Sequence, residues 1–132
     1  MKYLLDTNIC IYAQKRNPAI LSHMKEAWQE GIAISAITLA ELEYGVQHSA
    51  SPERNAIALA KFLSIVEILP FDSSAAIEYG EICSSLRKNG TPIGTMDMLI
   101  AAHGRSEKLT VVTHNTREFE RVDGLDLVDW YD

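Results

Sequence analysis

Short apolar runs alternate along this chain with longer stretches in which apolar residues recur at helical spacing. The runs predict strands at residues 3–5, 32–35, 68–69, 109–112 and 125–128. The stretches between them predict helices at residues 18–30, 37–47, 52–65, 74–88, 96–107 and 116–121. This alternation builds β–α–β units, so we expect an α/β fold: a three-layer α/β/α sandwich with a central, mostly parallel sheet.

The breaks between these elements are all short. They fall at Gly31, Pro52, Pro70, residues 90–94 and Gly124. None is long enough to act as a linker, and 132 residues is the usual size of one domain. We therefore expect residues 1–132 to form a single domain.

Composition excludes some classes of protein. The two cysteines, Cys10 and Cys83, are too few for a disulfide scaffold and indicate reduced thiols in a cytoplasmic protein. No apolar run is long enough to cross a membrane. The formal net charge of -6 argues against a general nucleic-acid coat, although not against an enzyme that touches nucleic acid at one place.

Acidic and amide side chains recur where strands end and helices begin. In a parallel α/β sheet, the carboxyl ends of strands and the amino ends of helices share one edge, and ligands bind there. Residues 6–8 follow the first strand and predict a turn or a helix start. The side chains that we expect at this edge are Asp6, Glu41, Asp97, Asn115 and Glu118.

Carboxylates that converge in this way repel one another and stay ionised only when cations lie between them. Oxygen ligands completed by water suit Mg²⁺ or Mn²⁺. Such ions activate water and stabilise the leaving oxygen in an in-line displacement at phosphorus. The pattern therefore predicts a metal site for phosphoryl chemistry.

Each of these residues also has an ordinary structural interpretation. Asp6 or Asn8 can cap the helix that follows. Residues 38–41 and 115–118 fit capping boxes, and Asp97 can be a first-turn acid that the helix dipole favours.

The surroundings of two of the acids favour a site. Asp6 and Asp97 both lie within apolar segments, and a carboxylate in such surroundings is costly unless something satisfies it. On the helix at residues 37–47, spacing does not distinguish Glu41 from Glu43.

Four segments together resemble the motifs of PIN-domain nucleases. They are Leu5-Asp6-Thr7-Asn8, residues 37–42 (ITLAEL), residues 92–101 (PIGTMDMLIA) and residues 112–122 (VTHNTREFERV). They stand in order along nearly the whole chain, and the resemblance is greatest to VapC toxins of bacterial toxin–antitoxin pairs.

This resemblance implies an α/β/α fold and a Mg²⁺- or Mn²⁺-dependent endoribonuclease. The expected substrate is structured RNA, with tRNA first and the anticodon loop of initiator tRNA as one candidate. The resemblance also implies inhibition by a cognate VapB antitoxin. The expected products carry a 3′-hydroxyl and a 5′-phosphate.

The resemblance also carries residue roles onto this sequence. The metal ligands that it implies are Asp6, Glu41 and Asp97. The residues that it places in the lining of the same site are Thr7, Asn8, Thr113 and Asn115. Many PIN domains have a fourth Asp where this chain has Asn115, and Glu118 is the acid that can supply the missing charge. We therefore count Glu118 as catalytic with the three ligands.

Basic and aromatic residues suggest how RNA and partners bind. Arg117 and Arg121 flank the expected site and are candidates for phosphate contacts. An acidic pocket also suits an arginine from an antitoxin. Apolar helical residues offer a docking groove or a homodimer face, and we expect a homodimer within a larger assembly. They are Ile20, Leu21, Met24 and Trp28, together with residues 56–65.

The remaining rings carry more ordinary predictions. His114 is adjacent to the expected site and is either a general base or a packed imidazole. The aromatic residues that we expect in the core or in interfaces, rather than as stacking platforms, are Tyr12, Trp28, Tyr44 and Trp130.

Other functions fit less well. A receiver-type signalling module also binds Mg²⁺ at strand ends, but it needs an acid pair after its first strand and a late Lys. Here one Asp follows that strand, and Lys108 precedes the last good strand. A haloacid-dehalogenase-like phosphatase fits less well still, because Asp6-Thr7-Asn8 lacks the second Asp that such an enzyme needs. A catalytically weak PIN-like binding protein stays open because of Asn115.

Overall fold

The computed structural model describes residues 1–131. Its strands are β1 (Tyr3–Leu5), β2 (Ile32–Ser35), β3 (Glu67–Leu69), β4 (Thr110–Val112) and β5 (Leu127–Val128). Its helices are α1 (Thr7–Gln14), α2 (Pro18–Ala27), α3 (Ala36–Gln47), α4 (Pro52–Leu63), α5 (Ser73–Lys88), α6 (Thr95–Glu107) and α7 (Thr116–Phe119). A 3₁₀ turn, Trp28–Glu30, extends α2. Within residues 1–131, no helix has both the length and the apolar character needed to cross a membrane.

The strands form one sheet in the order β3-β2-β1-β4-β5. Each pairing in it is parallel, and Tyr3 of β1 aligns with Ile32 on one side and Thr110 on the other. The predicted α/β fold with a parallel sheet is therefore confirmed. Because β1 lies at the centre, the residue that follows it is flanked by elements on both sides.

Two apolar cores cover the two faces of the sheet. Neighbouring residues of one strand divide between them, because successive side chains of a strand point to opposite faces. Leu5, Ile34 and Val112 pack in the core with α1 to α4. Their neighbours Leu4, Ala33 and Val111 pack in the core with α5, α6 and α7.

Helix α6 lies very close to the sheet at Gly104. A Cβ atom added there would stand 2.5 Å from Val111 Cγ2, which is closer than real side chains approach. Only glycine therefore permits this contact. The contact fixes α6 against β4, and the amino end of α6 carries Asp97.

The helix starts differ in part from the sequence-based expectations. Asp6 caps α1, as one interpretation predicted, whereas Asn8 lies inside α1 and is exposed. Helix α3 begins earlier than expected, with Ser35 as its cap. Thr38 and Glu41 therefore lie within the helix, and the capping-box interpretation of this pair was wrong.

Candidate active site

Asp6 occupies the carboxyl end of the central strand. Its amide donates to Val112 of β4 at 2.9 Å, which extends the ladder by one residue and fixes the backbone. The side chain is 4% exposed. Thr113 Oγ1 donates to Asp6 Oδ2 at 2.8 Å, and the amide of Thr7 donates to Asp6 Oδ1 at 2.7 Å. Both carboxylate oxygens are thus held by neutral donors.

Burial disfavours the charged form of Asp6. Desolvation raises the pKa of Asp6 above its ordinary value, and the nearby charge of Glu41 adds to the rise. The hydrogen bonds from Thr113 and Thr7 oppose it. Asp6 therefore does more than cap a helix, because its carboxylate is also repelled by the charge of a second acid on another element.

That second acid, Glu41, projects from α3. Thr7 Oγ1 donates to Glu41 Oε1 at 2.6 Å, and Thr38 Oγ1 lies 3.3 Å from Thr7 Oγ1. This arrangement selects Glu41 for the site, whereas Glu43 is exposed. Thr38 is fully buried, and sequence reasoning missed its place in the site. Its spacing of one helical turn from Glu41 was the signal available.

Asp97 stands in the first turn of α6 and has the most perturbed pKa of the acids here. Burial is the largest cause that raises the pKa of Asp97 to about 6. The charges of Asp6, Glu118 and Glu41 raise it further, in that order. Asn115 Nδ2 donates to Asp97 Oδ2 at 3.3 Å, which opposes the rise.

Asn115 and Thr113 connect the two sides of the site. The amide of Asn115 donates to Thr113 Oγ1 at 2.9 Å, and the same hydroxyl donates to Asp6. Asn115 occupies the cap position of α7 but makes no side-chain bond to that helix. The capping-box interpretation of residues 115–118 was therefore wrong, because this amide is turned to Asp97.

Most of the predicted side chains meet at this edge. We call the group Asp6, Glu41, Asp97 and Glu118 the acidic site, because the charge of each of the other three raises the pKa of Asp97. Thr7, Thr113 and Asn115 hold its carboxylates through hydrogen bonds. Asn8 is exposed on α1, and no side-chain hydrogen bond joins it to these residues within the part of the chain that the structure describes.

The flanking basic and imidazole residues are placed differently. Arg121 Nη1 donates to the carbonyl of Pro92 at 3.0 Å, so its guanidinium also supports the loop before α6. Arg117 is exposed. His114 Nδ1 donates to Asp129 Oδ2 at 2.9 Å, and this pair lies outside the acidic site.

The chemistry of the donor set fits a hard divalent cation. All four acids offer oxygen, and the groups that hydrogen-bond to Asp6, Glu41 and Asp97 are neutral hydroxyls and amides. Within residues 1–131, no three Asp, Glu, His or Cys side chains already stand in positions that would hold an ion. Binding of one ion by three of these acids would therefore require some of their side chains to move closer together.

The chain matches the family model of the PIN domain over residues 3–125. It is 45% identical to the "tRNA(fMet)-specific endonuclease VapC" of Shigella flexneri, over 98% of both chains. It is 44% identical to the "Ribonuclease VapC2" of Rickettsia felis, with the same coverage.

Solved structures give the same result. The chain superposes with a TM-score of 0.95 on a chain of VapBC2 from Rickettsia felis bound to a promoter DNA fragment, at 42% identity and with 98% and 99% of the two chains covered. The TM-score is 0.90 for a chain of VapBC-1 from nontypeable Haemophilus influenzae, at 34% identity and with all of both chains covered.

Proposed function

Because this chain belongs to the PIN-domain family, among its VapC ribonucleases, we propose that it is a divalent-metal-dependent endoribonuclease that cuts structured RNA. The observation that carries the proposal is the convergence of acids from three distant elements. Asp6 follows β1, Glu41 lies on α3 and Asp97 lies in the first turn of α6. The charges of Asp6 and Glu41 both raise the pKa of Asp97.

The residues that would hold the ion are Asp6 and Asp97, with Glu41 directly or through water. When bound, Mg²⁺ or Mn²⁺ supplies the activation of water and the neutralisation of phosphate charge that hydrolysis of a phosphodiester needs. The expected products carry a 3′-hydroxyl and a 5′-phosphate.

The side chains around the ligands have separate roles in this proposal. Thr113 and Thr7 hydrogen-bond to the carboxylates of Asp6 and Glu41 and so restrict the rotation of these two side chains. Asn115 steadies Asp97 with a neutral donor. Glu118 supplies the fourth negative charge.

The proposed substrate is tRNA, and initiator tRNA is the first choice. A relative at 45% identity is named as a tRNA(fMet)-specific endonuclease, and this similarity extends over 98% of the chain. Arg117 and Arg121 flank the acidic site and are proposed to contact phosphates. Such an activity belongs in the cytoplasm, where tRNA is found.

A VapB-type antitoxin is the proposed partner. The structural relatives are chains of VapBC complexes. Within residues 1–131 no Lys or Arg forms an ion pair with the acidic site, so its carboxylates suit an arginine from another protein. We expect a homodimer within a larger assembly. A short partner with a basic carboxyl-terminal segment should copurify with the chain and block cleavage.

The receiver-type alternative does not fit the topology. Receiver domains have the strand order 2-1-3-4-5, whereas the order here is β3-β2-β1-β4-β5. A catalytically weak PIN-like binding protein is distinguished from the enzyme by turnover alone.

The test is cleavage of initiator tRNA by the purified chain with Mg²⁺, with Mn²⁺ and with EDTA. We expect cleavage only with an ion, and loss of cleavage in Asp6→Asn. Asp126→Asn is the matched control, because this exposed acid precedes β5 at the opposite edge of the sheet. Undiminished cleavage in EDTA or by Asp6→Asn would contradict the proposal.

A second measurement identifies the RNA and the bond. Sequencing of the 5′ ends that accumulate after brief induction in cells should give one dominant site in a tRNA. Ends spread evenly over many messenger RNAs would contradict the proposed tRNA specificity and leave the ribonuclease activity in place.

A further inference from the structure

Three aromatic rings form a cluster beside the acidic site. His114 and Tyr131 stack with their ring centroids 4.1 Å apart and their planes inclined by 27°. Tyr12 of α1 packs against both rings, with centroids 4.7 Å from Tyr131 and 6.3 Å from His114. We call these three residues the aromatic platform. The sequence-based expectation placed Tyr12 in the core or in an interface, and it did not include Tyr131.

One carboxylate holds the platform in place. Asp129 Oδ2 accepts a hydrogen bond from His114 at 2.9 Å, and Asp129 Oδ1 accepts one from the amide of Tyr131 at 2.8 Å. Both stacked rings are thus positioned before any ligand arrives. A preformed surface binds with less loss of conformational entropy than a mobile one.

Trp130, which precedes Tyr131 in the chain, is buried, so exposure is not a general property of the aromatic residues in this segment. Trp130 is 3% exposed and packs against His23 and Tyr3, so it anchors the end of the chain. Tyr131 is 37% exposed, and the side chain of His114 is 43% exposed. The segment therefore buries one ring and presents the next to solvent.

The platform is continuous with the acidic site along two segments. His114 lies between Thr113, which bonds to Asp6, and Asn115, which bonds to Asp97. On the other segment, Tyr12 lies six residues after Asp6, which is about 9 Å of helical rise. A planar group on the platform would therefore lie near the acidic site without occupying it.

The charge of the chain makes such a contact useful. With a net charge of -6, the chain gains little from general attraction to phosphates. Proteins that recognise RNA loops use stacking of unpaired bases on Tyr, Phe, Trp and His rings, which needs no positive field. Two stacked, partly exposed rings suit a base better than a phosphate.

We propose that the aromatic platform, through Tyr131 and His114, stacks an unpaired RNA base that flanks the bond to be cut. This inference rests on the proposed function for its substrate, and it adds a base-binding site to it. The platform contributes affinity for the loop and takes no part in the chemical step.

The test uses a stem–loop RNA that copies the anticodon arm of initiator tRNA, with 2-aminopurine at each loop position in turn. Binding to the full chain carrying Asp97→Asn, which prevents cleavage, should quench the fluorescence at one position. Tyr131→Leu and His114→Leu should abolish the quenching and weaken binding by roughly 5- to 100-fold. Tyr131→Phe keeps the ring and should bind as the parent does.

The kinetic readout separates stacking from a structural role. In the active chain, Tyr131→Leu should raise KM by the same factor and leave kcat within about twofold. Ile77→Ala is the control, because Ile77 is 67% exposed on α5, which covers the face of the sheet opposite to α1, and its KM should not change.

Several outcomes would overturn the proposal. It fails if both leucine variants keep the quenching and the KM of the parent chain, or if they lose thermal stability alone. It also fails if they lose a copurifying protein or a second copy of the chain while RNA affinity is unchanged. If the wild-type chain quenches the probe but cuts no RNA, the proposed function fails and the platform stands.

Discussion

Two groups of acids in this molecule have opposite electrostatic surroundings. On α5, Glu78 and Glu81 contact Arg105 of α6 at 2.8 and 3.3 Å, and the Arg105 bond lowers the pKa of Glu78. In the acidic site, burial and neighbouring charge raise the pKa of Asp6 and Asp97. No ion pair that the structure shows within residues 1–131 includes a member of the acidic site.

The difference separates acids that are paired within the chain from acids whose charge the described part of the chain leaves unpaired. The Arg105 group joins two helices and is electrically satisfied by the chain itself. The acidic site is held by neutral hydroxyl and amide donors, which fix geometry and leave the charge uncompensated. Uncompensated charge on partly buried carboxylates is what a divalent cation or an arginine from a partner would neutralise.

The largest expected effect distinguishes the two groups by activity. Asp97→Asn should lower cleavage of initiator tRNA by at least roughly 100-fold, because a proposed ligand is lost and loss of a mere supporting contact already costs 10- to 100-fold. Glu81→Gln, in the satisfied group, should retain activity within about twofold. Rates measured at saturating Mg²⁺ check this, and equal losses in both variants would remove the functional distinction.

A smaller effect concerns stability and its dependence on pH. The pKa of Asp97 is about 6 in the folded chain and 3.8 as the ordinary value, so the folded state holds this proton more tightly than the unfolded state. Stability is therefore lost as pH rises from about 4 to about 6. The full shift corresponds to about 3 kcal/mol, and solvent screening of a half-exposed group reduces it to roughly 1–2 kcal/mol.

The measurement is thermal unfolding of Asp97→Asn and the wild-type chain in EDTA. At pH 8 the variant should melt higher, and at pH 4 the difference should disappear. Added Mg²⁺ should raise the melting temperature of the wild-type chain more at pH 8 than at pH 5, because protons compete for Asp97. A wild-type chain that melts higher than the variant at pH 8 in EDTA would contradict the uncompensated-charge interpretation.

Adding a negative charge to the acidic site tests whether its charge is uncompensated. Asn115→Asp replaces a donor to Asp97 with a fifth carboxylate in the acidic site, so we expect a loss of about 1 kcal/mol of unfolding free energy in the metal-free chain at pH 8. Asn89→Asp, at the exposed end of α5, is the control. Titration with Mg²⁺ should show tighter binding by Asn115→Asp, and unchanged affinity would place residue 115 outside the ion's reach.

The smallest effect comes from removing the cation of the satisfied group. Arg105→Ala leaves Glu78 and Glu81 without their partner and also breaks the bond to the carbonyl of Asp123. Because the group is partly exposed, we expect a loss of only about 0.5–1 kcal/mol of unfolding free energy, and less in high salt. Denaturant unfolding at low and high salt measures this. Loss of RNA cleavage at full stability would contradict a purely structural role.

Much of the fold could be predicted from local sequence signals. The strand at residues 32–35 was placed with its observed bounds, because a short apolar run before a helix start has few other interpretations. The helix starts were less predictable. Ser35 rather than Thr38 caps α3, because both are good caps and only the position of the strand end decides between them.

Sequence by itself determined which acids would share one edge of the sheet, since the alternation of strands and helices brings strand ends and helix starts together. Tertiary structure decided the rest. The Thr113 bond to Asp6 joins residues 107 positions apart, the choice of Glu41 over Glu43 depends on Thr7 of another helix, and the platform depends on Asp129. Local propensity carries no information about such partners, because hydrogen bonds and desolvation depend on which atoms become neighbours in space.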